Sequence, residues 1–300
     1  MFFPKYINIP DIKSRFLRNR IQLLKDIVKG SLINIPFQNV TSFGVPRPGP
    51  KPIPSYKALL DSTLRGHGGM CGHNNYSLKV LLQSIGFDTY NAAAKFRRTL
   101  VEGSHVVCLV KIPPPFSVDQ ETEDVYLVDV GCGVPILEPI RLKDLPYKGR
   151  AGGFDFSYEL SPDDGKIINR IHKGGDPFVG QKPKDYLCPQ DYTINLEPRT
   201  IASIIPSWGQ VYGEPDKSSF QSTFYIFRYV YIAPDNSDFK IACIRGKELL
   251  LITRESRTVQ RFSSYEDLLP SIHEYFPQLL QHEVLQAMSN FNAIDQERKN

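Results

Sequence analysis

The chain has 300 residues, of which 41% are hydrophobic and 23% charged, with a net charge of +4. That composition excludes a disordered or collagen-like chain, and so mild a positive balance gives no basis for a nucleic-acid partner. No apolar stretch reaches the ~20 residues of a membrane span, and Met1-Phe2-Phe3-Pro4-Lys5 lacks the basic-then-apolar pattern of a secretory signal. The length suits a large core divided into two or three packed domains. The first ninety residues read as helical. Leu17, Ile21, Leu24 and Val28 recur at helical spacing, with Gly30 as the predicted stop. Ile35-Pro36-Phe37 predicts an extended or turn segment, because the residue before proline avoids helix. Four prolines between Arg47 and Pro54 predict a surface loop. A second helix follows Cys71, carries Leu78, Leu81, Leu82 and Ile85 on one stripe, and ends at Gly86.

Strands then dominate. His105–Ile112 and Val125–Val130 are short, apolar and β-branched. Phe154–Leu160 and Lys166–His172 flank Ser161-Pro162-Asp163-Asp164-Gly165, which predicts a hairpin. Residues 173–190 read as a loop. Phe224–Ala233, Phe239–Ile244, Leu249–Thr253 and Thr258–Phe262 read as strands, and Tyr265–Phe276 and Leu279–Ser289 as helices.

The five cysteines, Cys71, Cys108, Cys132, Cys188 and Cys243, are odd in number, widely spaced and free of any C-x-x-C pair. A disulfide framework or a metal site is therefore not expected, and a reducing cytoplasm is. Cys71 differs from the rest in context. It ends the glycine-dense stretch Arg65-Gly66-His67-Gly68-Gly69-Met70 and opens a helix, where unpaired N–H groups favour a thiolate. Taken alone, Cys71 reads equally well as a small buried thiol beside a turn.

A cysteine nucleophile needs a base, and the base an orienting group. His105 opens an apolar strand. Asp129, in Leu127-Val128-Asp129-Val130-Gly131-Cys132-Gly133, is a lone carboxylate between valines. Burial of that carboxylate is costly without a partner, and an imidazole on a neighbouring strand would supply one. Cys71, His105 and Asp129 are therefore the candidate triad, against the plainer reading of Asp129 as a turn cap. His73 lies two residues past Cys71, off its helix face, and is expected to be solvated. His172, His273 and His282 are expected to be surface or structural groups.

These residues belong to a wider pattern. Ile35-Pro36-Phe37-Gln38-Asn39 looks like an IPFEN segment, and Gly68-Gly69-Met70-Cys71 with Asn75 looks like an RGGxCxxxN motif. Residues 127–133 look like VDVGFG, Leu196-Glu197-Pro198-Arg199 is similar to LEPR, and Ser218-Ser219-Phe220 resembles S-x-F. In this order the segments resemble the arylamine N-acetyltransferases over nearly the whole chain. The resemblance implies an α+β, three-domain cysteine acyltransferase. Its parts would be a helical domain over 1–90 with the nucleophile, a β-barrel over 91–195 with the histidine and aspartate, an interdomain segment over 196–222, and an α/β lid over 223–300. It implies ping-pong transfer of an acyl group from acyl-coenzyme A, through a thioester on Cys71, to an arylamine, hydrazine or hydroxylamine, without metal, nucleic acid or membrane. Phe37, Gly103, Ser104, Cys132 and Gly133 would border the acceptor, and Tyr212 and Ser218 the coenzyme. Trp208 and Phe37 are candidates to stack on an aromatic ligand. The rival reading is a coenzyme A-independent thiol hydrolase or transglutaminase-like enzyme with the same triad.

The chain departs from the family pattern at several positions. His67 replaces the motif arginine and Gln38 the motif glutamate. The two are expected to hydrogen-bond in place of an ion pair, the alternative being independent surface changes. Cys132 stands where an aromatic is common. That implies a wider pocket, open to propionyl or malonyl donors or bulkier amines, unless the position is filled core. Lys95, Arg97 and Arg98 could meet coenzyme A phosphates but read more simply as a solvated face.

Overall fold

Apolar residues at helical spacing fold the first part of the chain onto one helix pair, α1 (Ile12–Arg18) and α2 (Arg20–Asn34), broken at Asn19. The computed structural model describes residues 7–44, 51–96, 101–131, 136–171, 175–178, 180–181, 192–213 and 218–297. Leu23, Leu24, Ile27 and Val28 are buried, whereas Leu17 is 61% exposed. Gly30 does not end the helix. It sits inside α2, where a Cβ would lie 2.5 Å from the buried Ile7 side chain, so its smallness makes room for a packed neighbour. The prolines at 46, 48 and 50 fall outside the described residues.

After Pro36 the chain forms β1 (Phe37–Gln38), then α3 (Val40–Phe43), α4 (Tyr56–Leu64) and the long α5 (Cys71–Ile85). Gly86 caps α5 with φ +114°, the left-handed conformation that favours glycine.

Next come β2 (Asp88–Phe96), β3 (His105–Ile112), β4 (Asp124–Val128), β5 (Ile140–Arg141), β6 (Tyr147–Ala151), β7 (Phe154–Leu160), β8 (Ile167–Ile171), the two-residue β9 (Gly175–Asp176) and β10 (Gly180–Gln181), and β11 (Tyr192–Arg199). Eight of these form one sheet in the order β5-β4-β3-β2-β11-β8-β7-β6. Its edge strands, β5 and β6, do not pair among the described residues, so the barrel expected from the resemblance is here an open sheet. β2 pairs with β3 and β11 and was not legible in the sequence. Its Ala92-Ala93-Ala94 run has low strand propensity, and burial between two long strands overrides that. β11 runs through residue 195, the expected domain boundary, with a bulge between Ile194 and Pro198.

Short helices α6 (Ile201–Ile204) and α7 (Trp208–Gly213) lead to β12 (Tyr225–Ile232), β13 (Phe239–Arg245), β14 (Glu248–Ile252) and β15 (Arg257–Arg261). The chain ends in α8 (Leu269–Tyr275) and α9 (Gln281–Glu297). These strands form a second sheet in which β1 pairs with β12, so the N-terminal region contributes an edge to the C-terminal sheet. One core lies between α2, α5 and the large sheet; another joins α3, α9 and the second sheet. No helix of the described residues is long and apolar enough to cross a membrane.

Candidate active site

The glycines before Cys71 allow a close approach of chains. Gly68 has φ +64°, and a Cβ there would lie 2.0 Å from the Pro36 carbonyl oxygen. Phe37 bridges Gly69, and Gly69 N–H donates to Pro36 O at 3.3 Å. This turn delivers Cys71 as the first residue of α5, with no side chain capping the helix start. The His73 and Asn74 N–H groups donate to Met70 O at 2.9 and 3.2 Å, and those of Cys71 and Gly72, ahead of them, face the region where a helix start favours an anion. Cys71 is 8% exposed, and its Sγ lies 4.0 Å from Ser104 O.

β3 begins at His105, as its apolar pattern predicts, and Asp129 follows directly on β4, which pairs with β3. His105 is 0% and Asp129 2% exposed. His105 Nε2 lies 2.7 Å from Asp129 Oδ2, which leaves Nδ1 on the side of the Cys71 thiol. Nδ1 is buried and makes no other hydrogen bond among the described residues. Burial alone would lower the His105 pKa. The Asp129 charge and hydrogen bond, with the Cys71 thiol, outweigh it and raise the pKa above that of an ordinary imidazole. For Asp129, burial would raise the pKa, but His105 and the bonds from Asn75 and Gly131 hold it below the usual carboxylate range.

Asp129 has four donors. Besides His105, Asn75 Nδ2 donates to Oδ1 at 2.8 Å, Gly131 N–H to Oδ1 at 2.9 Å and the Tyr192 hydroxyl to Oδ2 at 3.0 Å. Asn75 also donates to Val106 O at 2.7 Å and accepts from Val130 N–H at 2.9 Å. One side chain therefore ties α5 to both strands of the site. Gly131 permits this contact: a Cβ there would lie 2.7 Å from Asn75 Nδ2 and 2.8 Å from Cys71 Cα. Phe96 and Tyr192 flank the His105 ring at 5.1 and 5.2 Å between centroids and keep it dry. The Asn75 spacing, one helical turn past Cys71, was a readable signal for a shared face. For Tyr192, distant in sequence and on a strand the pattern did not reveal, there was none.

The structure thus brings Cys71, His105 and Asp129 together and places Ser104 beside the sulfur. Gly103 adjoins Ser104; its N–H donates to Ala94 O at 3.0 Å, and a Cβ on it would lie 3.0 Å from Ser207 Oγ. Phe37 is buried with its ring edges against Phe220 and Tyr225. Trp208 is buried too and packs on the start of α5: a Cβ on Gly72 would meet its ring at 2.3 Å. Tyr212 lies near its ring and is itself buried, its hydroxyl pKa pushed well up by burial and by the nearby Cys71. Ser218 is buried, and its carbonyl accepts from Gln221 N–H at 3.0 Å. Cys132, Gly133, Cys188, His172, Arg97 and Arg98 lie outside the described residues.

Several histidine expectations change. His73 does lie off the Cys71 face, but it is buried rather than solvated. Gly69 packs on its ring, and desolvation lowers its pKa to about 4. Gln38 reaches His67 through the backbone, Nε2 donating to His67 O at 3.1 Å. The expected side-chain pair does not form, because the His67 imidazole turns instead toward Glu283 of α9, at 3.9 Å. His273 and His282 are exposed, as expected. No group of three or more His, Cys, Asp or Glu side chains suited to a metal occurs among the described residues.

Comparison with known proteins bears on the family and the fold. A family model described as N-acetyltransferase matches residues 20–278. No curated protein sequence matched the chain. Among solved structures, the arylamine N-acetyltransferase of Mycobacterium marinum in complex with CoA is 17% identical with a TM-score of 0.71, over 97% of this chain and 98% of that one. The Mycobacterium tuberculosis arylamine N-acetyltransferase is 18% identical with a TM-score of 0.68, over 96% and 98%. The Nocardia farcinica protein is 20% identical with a TM-score of 0.67, over 94% and 95%. At these identities the neighbours establish a shared mixed α/β fold, and the family match extends across most of the chain. The chain belongs to the arylamine N-acetyltransferase family and is an acyltransferase.

Proposed function

We propose that the chain carries an acyl group, acetyl or a larger propionyl or malonyl, from acyl-coenzyme A to the nitrogen of an arylamine, hydrazine or hydroxylamine by way of a thioester on Cys71. The observation that carries this reading is the unbroken path from the Cys71 sulfur through His105 to Asp129, with Nδ1 left as the only unpaired nitrogen of the ring. His105 Nδ1 takes the thiol proton, and Asp129 stabilises the resulting imidazolium. The thiolate attacks the donor carbonyl, and the Cys71 and Gly72 N–H groups, at a helix start with no side-chain cap, are the donors assigned to the oxyanion. The coenzyme A thiolate leaves and recovers the proton from His105. The amine then attacks the acyl-cysteine carbonyl, His105 accepts its proton, and the Cys71 thiolate is expelled. General-base help of this kind contributes typically about 10²–10⁴-fold.

Family membership and the CoA complex of the Mycobacterium marinum neighbour support coenzyme A as the donor's carrier. Phe37, Gly103, Ser104, Cys132 and Gly133 are assigned to the acceptor side and Tyr212 and Ser218 to the coenzyme side. A thiol at Cys132 would favour donors larger than acetyl, which the propionyl-to-acetyl ratio of kcat/KM in Cys132→Phe would reveal. The same reading divides the chain near residues 90, 195 and 222 into helical, β and lid domains, and places the thiol enzyme in a reducing cytoplasm. The test is pre-steady-state release of coenzyme A without amine: one equivalent per chain supports the thioester, and a linear release without a burst contradicts it.

A further inference from the structure

A cavity of about 350 Å³ opens beside the start of α5. Neither Cys71, His105 nor Asp129 lines it. Its walls come from α3, residues 51–54, α4 and the turn after it, the start of α5, α7 and the first turn of α9, including Ser42, Ala58, Arg65, His73 and Glu283. The volume suits a single-ring molecule, at the low end of small-ligand pockets.

Two features of the wall point to an occupant. Glu283 Oε2 is buried and accepts no hydrogen bond; its nearest cation-forming neighbour, His67 Nδ1, is 3.9 Å away, beyond bonding distance. The start of α9 accounts for a carboxylate at this position but not for an unpaired oxygen on a cavity wall. The Arg65 guanidinium stands exposed at the opening and makes no ion pair among the described residues. The lining's formal charges balance, with Lys51 and Arg65 against Asp61 and Glu283, which argues against a polyphosphate such as the coenzyme A nucleotide.

We propose that this cavity is a second ligand site that takes a small amphoteric single-ring molecule, with an anionic group at Arg65 and an N–H or O–H donor at Glu283. The occupant would touch His73, two residues after Cys71, and Tyr212.

Calorimetric titration of the full chain with 4-hydroxybenzoate tests this without depending on acyl transfer, since the probe has no nitrogen to acylate. A ligand of this size is expected to bind with a Kd of about 1 mM or below. Arg65→Gln and Glu283→Gln are each expected to weaken it about tenfold or more. Ala58→Trp, at an exposed position on the wall, is expected to fill the opening and abolish binding while turnover of a hydrazine acceptor persists. Alkylation of Cys71 is expected to leave probe binding intact. No binding at about 10 mM would overturn the proposal. So would binding that survives all three variants, or that alkylation of Cys71 abolishes, since the probe would then sit in the catalytic cleft.

Discussion

Replacing Asn75 removes a side chain that joins α5 to β3 and to the residues that follow β4. Asn75→Ala deletes bonds of 2.7, 2.8 and 2.9 Å and leaves the buried Val106 carbonyl and Val130 N–H without that partner. Each orphaned group costs about 1–3 kcal/mol, so a loss of about 2–5 kcal/mol is expected. For a chain of this size that corresponds to a Tm lowered by roughly 5–15 °C. Asp129 keeps three donors, so the triad loosens rather than disappears, and kcat/KM should fall at least about tenfold. Asn75→Asp discriminates the cause. It preserves an acceptor for Val130 N–H but sets a second carboxylate where Nδ2 now lies 2.8 Å from Asp129. Two carboxyl groups that close share a proton, and the Asp129 pKa rises. Near neutral pH this variant should be less active than Asn75→Ala and regain part of the loss as the pH falls. Thermal melts and steady-state rates across pH measure both effects. If Asn75→Asp matched the native enzyme in Tm and rate at neutral pH, the clamp would carry no weight and the reasoning would be refuted.

Three further outcomes follow from the same geometry. Gly131→Ala forces a methyl within 2.8 Å of the Cys71 Cα and closer still to Asn75, so it should cost about 1–3 kcal/mol and depress kcat more than KM; a variant with native Tm and kcat would contradict the close packing. Trp208 is the only tryptophan and packs on Gly72, beside the nucleophile, so alkylation or acylation of Cys71 should shift its emission in proportion to modification, with no shift in Cys71→Ala. The His105–Asp129 pair makes stability depend on pH in a defined sense. Asp129 has a lowered folded pKa, so its contribution is present above the unfolded value of about 4 and is lost as the pH falls through the folded one. His105 has a raised folded pKa, so its contribution is full below about pH 6.5 and is lost as the pH rises through the folded value. The Tm difference between native enzyme and His105→Gln should therefore be largest from about pH 5 to 6.5, and a difference that grew toward alkaline pH would reverse the assignment.

The candidate site was legible where local pattern and burial coincide. His105 could be read because it opens an apolar strand that forms over the same residues, and Cys71 because it opens an amphipathic helix after glycines that only a close chain approach requires. What escaped depended on contacts distant in sequence. β2 was missed because three alanines carry no strand signal and only the neighbouring strands make them one. Tyr192 was missed because its partner Asp129 is 63 residues away. Gly30 was misread because a helical glycine next to a packed isoleucine looks, in sequence, like a glycine that stops a helix. His73 is buried against expectation because periodicity finds the face opposite Cys71, but not what covers that face. The His67 imidazole turns toward Glu283, most of the chain away, so Gln38 meets His67 through the backbone carbonyl rather than the side chain.

The account rests on the Cys71 sulfur becoming an acyl carrier. Mixing the enzyme with acetyl-coenzyme A alone, quenching in acid and mapping the modified peptide by mass spectrometry tests that directly. One acetyl group on Cys71, removed when an aromatic amine is added and strongly reduced in His105→Gln, is the predicted result. An unmodified Cys71 in an enzyme that nevertheless acetylates the amine would contradict the account at its centre.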